Sequence, residues 1–465
     1  MIKLRHEQPR LWHSGLAKDI EDLWEPWMRE VDRLLEDEAL VERVYDAQGE
    51  RHAHSRTRGR TQTPAEVVLR LLILKHVRNW SYDTLEREVR ANLVYRAFTR
   101  IGDEKVPDAK TLARLGQALG PEVIGELHVR LIKLARQRGV VPGRRMRVDT
   151  TVVETNIHYP TDSSLLGDGA RVLTRTMKKI ETKAGGLRKR IRDRMRTVKK
   201  RVLAIALAGR QPGEQRAERQ RKEYAELLTT TRKILHQAKA VIEEVQQLPP
   251  RRRTGLRGLT ERLETMSGRV RQVVEQTKAR ILEEITHFPG KIVSLFEPHT
   301  EIIRKGKMGK PTEFGKLLQI QEAENQIITH YQVFAERPPD STLLVPAVAE
   351  HRRRFGRVPQ LAAADAGFYS LRNEEEIRKM GVARVAIPNR STRSEERRKF
   401  QKQRWFRAAQ RWRTGSEGRI SVLKRRHGLN RCRYRGFDGI ERWVGLGVIA
   451  DTVIQIGRCL VLQRA

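Results

Sequence analysis

Cysteine is nearly absent. The chain of 465 residues has two, Cys432 and Cys459, and neither stands in a Cys-x-x-Cys or Cys/His spacing. That excludes a disulfide framework and a zinc site as organising features, and both are read as free thiols. Long apolar runs are also scarce. The N-terminal MIKLRHEQPRLWHSG lacks a signal-peptide core, and the apolar run VLAIALAG (202–209) is too short to cross a bilayer. The sequence therefore predicts no membrane partner and a cytoplasmic, nucleoid-associated protein. The third scarcity is acidic charge: 57 Asp and Glu face 94 Lys and Arg, a formal net charge of +37. Such an excess, spread along most of the chain, calls for a polyanion and fits a protein that tracks a nucleic-acid backbone. A packaging protein would meet the same description but would have no need of isolated acids.

What is present divides the chain. Its length and a hydrophobic fraction of 38% allow two to four folded domains. Residues 1–62 hold an amphipathic stretch, DIEDLWEPWMREVDRLLEDEALVERV, and a polar, Arg/His-rich arm. At 63–140 the signals become helical: Thr63 as cap, Pro64 at the first helical position and Glu66 three residues after the cap precede VVLRLLILKHV, and Ser81 opens the next helix. Short helices joined by turns at Gly102 and Pro107 suit either a helix-turn-helix DNA reader or a dimerisation bundle. From Met146 the period becomes two, with Met146, Val148, Thr150 and Val152 on one face and Arg147, Asp149, Thr151 and Val153 on the other, so a strand begins.

Residues 170–285 return to helical spacing in three sets: Leu187 to Ile205, Tyr224 to Val245 and Leu259 to Ile281. They predict an insertion of three long helices in a coiled-coil bundle, with basic outer faces that include Arg251, Arg252 and Arg253 as candidate DNA contacts. After Pro289 strand signals resume in KIVSLFE, EFGKLLQIQEAE, QIITHYQVFAE, QLAAAD and VARVAIPN. The first two are joined by the basic turn RKGKMGKP, where Lys305, Lys307 and Lys310 are further DNA-binding candidates. Residues 141–169 and 286–465 thus read as one α/β domain, a mixed five-stranded sheet flanked by helices.

Within it, Asp149 lies in the first strand and Asp365 at the carboxyl end of QLAAAD. If those strands are neighbours the two carboxylates converge, and converging carboxylates call for a neutralising Mg²⁺ or Mn²⁺. A third acid, Glu417, shares a helical face with Arg413 and Lys424, which places one acid between two cations. Glu154, Asp162 and Asp168 are competing ligands. His158, Tyr159 and His299 are candidates to line the site, and Trp405 and Trp412 are candidates to stack on a base or simply to pack.

VDTTVVETNIHYPTDSSLL, SLFEPHTEIIRKGKMGKPTEFG, DAGFYS and the Arg413-x3-Glu417-x6-Lys424 spacing together resemble bacterial insertion-sequence transposases with a DDE triad on an RNase H-like fold, and are similar to the group long left unclassified among insertion sequences (ISNCY). The resemblance implies a triad of Asp149, Asp365 and Glu417 holding two Mg²⁺ ions (Mn²⁺ as substitute), with Asp149 bridging both, and Arg413 and Lys424 binding phosphates near the scissile bond. It also implies double-stranded DNA as substrate, both transposon ends and target, with terminal inverted repeats recognised and cleaved, 3′ ends joined to target, and a homodimer on DNA. A binder descended from such an enzyme without catalysis, and a structure-specific nuclease of the same fold, are the alternatives. Two departures stand out: position 410 is Gln where related transposases have Tyr, and 216 residues separate Asp149 from Asp365 (365 − 149).

Overall fold

The computed structural model describes residues 1–5, 20, 22–51, 54–57, 62–188, 190–210, 215–304 and 311–464. The chain forms two compact units, one of Met1–Asn156 with Ile303–Ala465, the other of Ile157–Ile302.

Among its described residues the first unit begins with the helices α1 (Pro26–Leu34), α2 (Glu38–Gly49), α3 (Ala65–Val77), α4 (Tyr82–Ala91), α5 (Leu93–Phe98), α6 (Ala109–Ala118) and α7 (Pro121–Gln137), followed by β1 (Arg145–Glu154). Short polar side chains start several of them. Ser81 accepts from the Thr84 amide at 3.0 Å and Asp108 from the Thr111 amide at 3.0 Å, satisfying amides that have no partner inside the helix. The cap expected from Thr63 is absent; α3 begins one residue later behind Pro64, whose fixed φ sets the entry without a side-chain bond. As expected, α3 is buried nearly throughout, Ala65 to His76. That includes Arg70, which is tolerated because Asp32 (2.6 Å) and Glu66 (3.0 Å) neutralise it.

The second unit is helical: α8 (Asp162–Ala184), α9 (Met195–Ala208), α10 (Gln215–Gln246) and α11 (Pro250–Leu282). Its core joins Leu173, Met177 and Ile180 to Leu227, Ile234, Val270 and Val273. Among the described residues four helices stand where the spacing predicted three. The set from Leu187 to Ile205 does not form one helix, because α8 ends on Gly185 in the left-handed region (φ 74°) and α9 starts only at Met195. KIVSLFE is not a strand either. Ile292 and Leu295 pack into the helical core, and the Gln276 amide takes both backbone groups of Ile292 at 2.9 Å, a bond pair that a ladder would otherwise supply.

The first unit resumes with β2 (Glu301–Arg304), β3 (Thr312–Glu322), β4 (Ile328–Val333), α12 (Leu344–Phe355), β5 (Leu361–Ala363), α13 (Leu371–Lys379), β6 (Arg384–Ala386), α14 (Glu395–Lys402), α15 (Arg404–Arg426) and α16 (Phe437–Arg464). Among the described residues the sheet has six strands, where five were expected, in the order β2-β3-β1-β5-β6 with β4 also on β3. β1 runs antiparallel to β3 and parallel to β5, which is parallel to β6. The alternation read from β1 is what packs it: Met146 and Val148 join the α12–α13 side, and Val153 joins Leu423, Trp443 and Val444 on the α15–α16 side.

The longest apolar element is α16, which the sequence reading missed. It is long and apolar enough to cross a membrane, but most of it is buried, with Leu446, Ile449, Val453 and Ile456 packed in the core that the helices of the first unit build. Its Asp451 is held by Arg419 at 2.7 Å, so α16 is a core helix here.

Candidate active site

The first three residues of β1 face the β5 residues 216 positions later, from Arg145 against Leu361 to Arg147 against Ala363 (361 − 145 = 363 − 147 = 216). Asp149 and Asp365 are separated by the same number, so the register carried two residues past β5 sets them side by side. Asp365 caps a short turn there, its Oδ1 accepting from the Ala366 amide at 2.6 Å. The strand end is thus fixed locally, and Arg390 approaches the carboxylate at 3.7 Å.

Asp149 points to the other partner of its face, α15. Its Oδ2 accepts from Ser416 Oγ at 2.9 Å and lies 3.6 Å from Arg413 Nη1, while its Oδ1 accepts from the Thr150 amide at 2.8 Å. The side chain is only 13% exposed. Burial pushes its carboxyl above the usual aspartate value, and the nearby Asp365 adds to the rise. Ser416, Thr150 and Arg413 oppose it without cancelling it. Ser416 is buried on the same α15 face as Ala409, Arg413 and Arg419. The sequence reading passed over it because a serine beside a glutamate carries no signal until the helix phase is known.

Glu417, one residue on, turns toward solvent and is 63% exposed, with its Oε1 on Arg413 Nη2 at 3.0 Å. A single guanidinium therefore touches both Asp149 and Glu417. Lys424 is half-buried and sits 11 residues beyond Arg413, about 16 Å along the helix axis, so the two cannot grip one phosphate. Among the described residues no three His, Cys, Asp or Glu side chains stand close enough to hold a metal ion. The donor chemistry of the aspartate pair nonetheless fits a hard divalent cation: these are oxygen ligands, one of them buried, and their mutual charge is unfavourable without a cation.

The competing acids are engaged elsewhere. Glu154 is buried with Arg431 at 3.7 Å, while within the helical unit Asp162 holds Arg280 at 2.6 Å and Asp168 holds Arg171 at 2.6 Å. His158 lies 3.7 Å from Asp168 and His299 3.6 Å from Glu297, both also in the helical unit, where Tyr159 is exposed. Trp412 packs under the guanidinium of Arg147 (4.9 Å to the ring centre), and Trp405 packs on Phe400 and Phe406. Gln410, at the departure from the family's tyrosine, donates to the Ala386 carbonyl at 2.6 Å and so ties α15 to the end of β6. Arg251, Arg252 and Arg253 are exposed in the first turn of α11. Lys305, Lys307 and Lys310 lie outside the described residues.

Sequence reading also missed a buried charge cluster behind the site. Arg147 pairs with Glu322 of β3, and Arg419 of α15 pairs with Asp451 of α16, beside His427 at 3.6 Å from Asp451. Burial raises the Glu322 carboxyl, against the pull of Arg147 and Arg419. Arg147 also donates to the Trp412 carbonyl, which ties β1 to α15, and with it Ser416 and Arg413, while the Arg419–Asp451 pair ties α15 to α16.

Compared with known families, residues 24–117 match the family model described as Transposase domain (DUF772), and residues 293–450 match that described as Transposase DDE domain. The second match contains Asp365, Arg413, Glu417 and Lys424, whereas Asp149 precedes it. Neither the curated proteins nor the solved structures yield a match.

Proposed function

We propose, for a chain that belongs to the DDE transposases of insertion sequences, that Asp149, Asp365 and Glu417 form its catalytic triad. This is a metal-dependent, DNA-cleaving transposase on an RNase H-like fold. The observation that carries the triad assignment is the shared register of β1 and β5, which sets Asp149 beside Asp365, together with the docking of α15 on Asp149 through Ser416.

Two Mg²⁺ ions, or Mn²⁺ in their place, would supply activation of the attacking oxygen and stabilisation of the leaving one. Asp149, Asp365 and Glu417 would hold them. Ser416 keeps the Asp149 carboxylate in one rotation. Arg413, which now holds Glu417, would turn its charge to a phosphate of the bound end once that carboxylate is drawn away, and Lys424 would hold a second phosphate further along α15. Arg251, Arg252 and Arg253 would reach backbone phosphates from the helical unit. The substrates are the terminal inverted repeats, cleaved to free 3′-hydroxyls that attack target DNA, and a homodimer would hold two ends together.

The test is cleavage of a plasmid carrying the gene's own flanking DNA with Mg²⁺ or Mn²⁺. The wild type cuts at the flanks and joins the ends, and Asp149→Asn and Glu417→Gln each lower cleavage by at least on the order of 10³-fold. Tight binding without cuts would instead identify a non-catalytic binder, and cuts that survive either substitution would mean that the acids are wrongly assigned.

A further inference from the structure

The helical unit carries a groove that uses none of the triad residues. Five cations of α8, Arg171, Arg175, Lys178, Lys179 and Lys183, line a cleft of about 730 Å³, with Asp193 its one acid. Lys178 already neutralises that acid at 2.6 Å, and Arg171 is shared with Asp168. Among the described residues Arg175, Lys179 and Lys183 have no acidic partner, and all three are exposed. Like charges held this close repel one another, so the arrangement costs free energy unless an anion sits among them.

The length of the row points the same way. The cations run from residue 171 to residue 183, 12 steps or about 18 Å of helix. That spans roughly five nucleotides of one DNA strand at about 3.4 Å each.

We propose that this groove binds the phosphate backbone of double-stranded DNA, independently of sequence, through Arg175, Lys179 and Lys183. The inference rests on the reading that the protein acts on DNA, and it gives the helical unit a defined contact surface beyond Arg251 to Arg253.

The test is binding of full-length protein to two labelled duplexes of equal length, the gene's flanking sequence and an unrelated one, over a series of salt concentrations. The triple variant Arg175→Gln, Lys179→Gln, Lys183→Gln is expected to lower the slope of log affinity against log salt by about 2 to 3 on both duplexes, near 0.9 for each lost phosphate contact. If the triple variant melts early, Lys179→Gln alone gives the same reading with a fall of about 0.9. An unchanged slope in folded variants overturns the proposal, as does a loss confined to the flanking duplex. Failure of the wild type to bind either duplex would instead overturn the functional reading itself.

Discussion

At the scale of single residues, the proposed site centres on an aspartate that the fold makes expensive. Asp149 is buried and faces Asp365, so its carboxyl holds a proton more tightly than an ordinary aspartate. The Ser416 hydroxyl works against that. Replacing Ser416 with Ala removes a bond to the ionised form and raises the Asp149 carboxyl further. Metal and substrate chemistry need the carboxylate, so the acid limb of the pH–rate profile for cleavage should move to higher pH in Ser416→Ala, with the plateau less affected. A limb that stays in place would show that Ser416 only packs.

The pairing of Asp149 with Asp365 was legible in the sequence because period two marks the strand that holds the first and the apolar QLAAAD ends on the second. The companions were not. Ser416, Glu322 and Asp451 are ordinary letters whose roles depend on which face of a helix or strand meets which neighbour, and that phase is decided by packing. The single guanidinium shared between Asp149 and Glu417 also escapes spacing arguments: Arg413 and Glu417 are neighbours on any helix, but Asp149 reaches Arg413 only through tertiary docking.

At the scale of elements, α3 and α16 show a second cost. Lys75 is buried among the rings of Tyr82 (4.8 Å), Trp443 (5.0 Å) and Tyr434 (5.3 Å). Burial, with a contribution from Arg433, pushes its ammonium down to about 7, and the aromatic faces offset part of the loss of water. Between pH 7 and the ordinary lysine value of 10.5 the unfolded chain then binds more protons than the folded one. Stability should therefore rise with pH across that window, and the penalty should be fully present below pH 7. Lys75→Met, followed by denaturant unfolding from pH 6 to 10, should flatten that slope; an equally steep slope in the variant would place the titration elsewhere.

The elements that the sequence reading placed well were those with strong local signals, the β1 alternation, the apolar run of α3 and the Ser81-capped helix α4. Those it misplaced lost a local contest to packing. KIVSLFE has strand composition, but its Ile292 backbone is satisfied by Gln276, and α16 reads as featureless because it is apolar on all sides.

At the scale of the whole molecule, the charge of +37 sets how DNA is held. Affinity for any duplex should fall steeply as salt rises, because counterions released on binding are the main driving term. Chelation with EDTA should abolish cleavage yet leave that affinity largely intact, as gel-shift and cleavage assays on the same samples would show. Loss of both together would mean that the metal builds the DNA-binding surface.

The ladder between β1 and β5 has a consequence for how this chain can change. The two aspartates are keyed to each other by hydrogen bonds between neighbouring strands, and the chain that joins them leaves at Asn156 and returns at Ile303. Its length is therefore a free variable. A unit of 146 residues (302 − 157 + 1) occupies it now, and the same strands would accept a shorter or longer cassette without moving either carboxylate. One residue inserted between Arg147 and Asp149 is a different matter: it would turn the acid to the opposite face of the sheet, and no change elsewhere in the chain could bring it back.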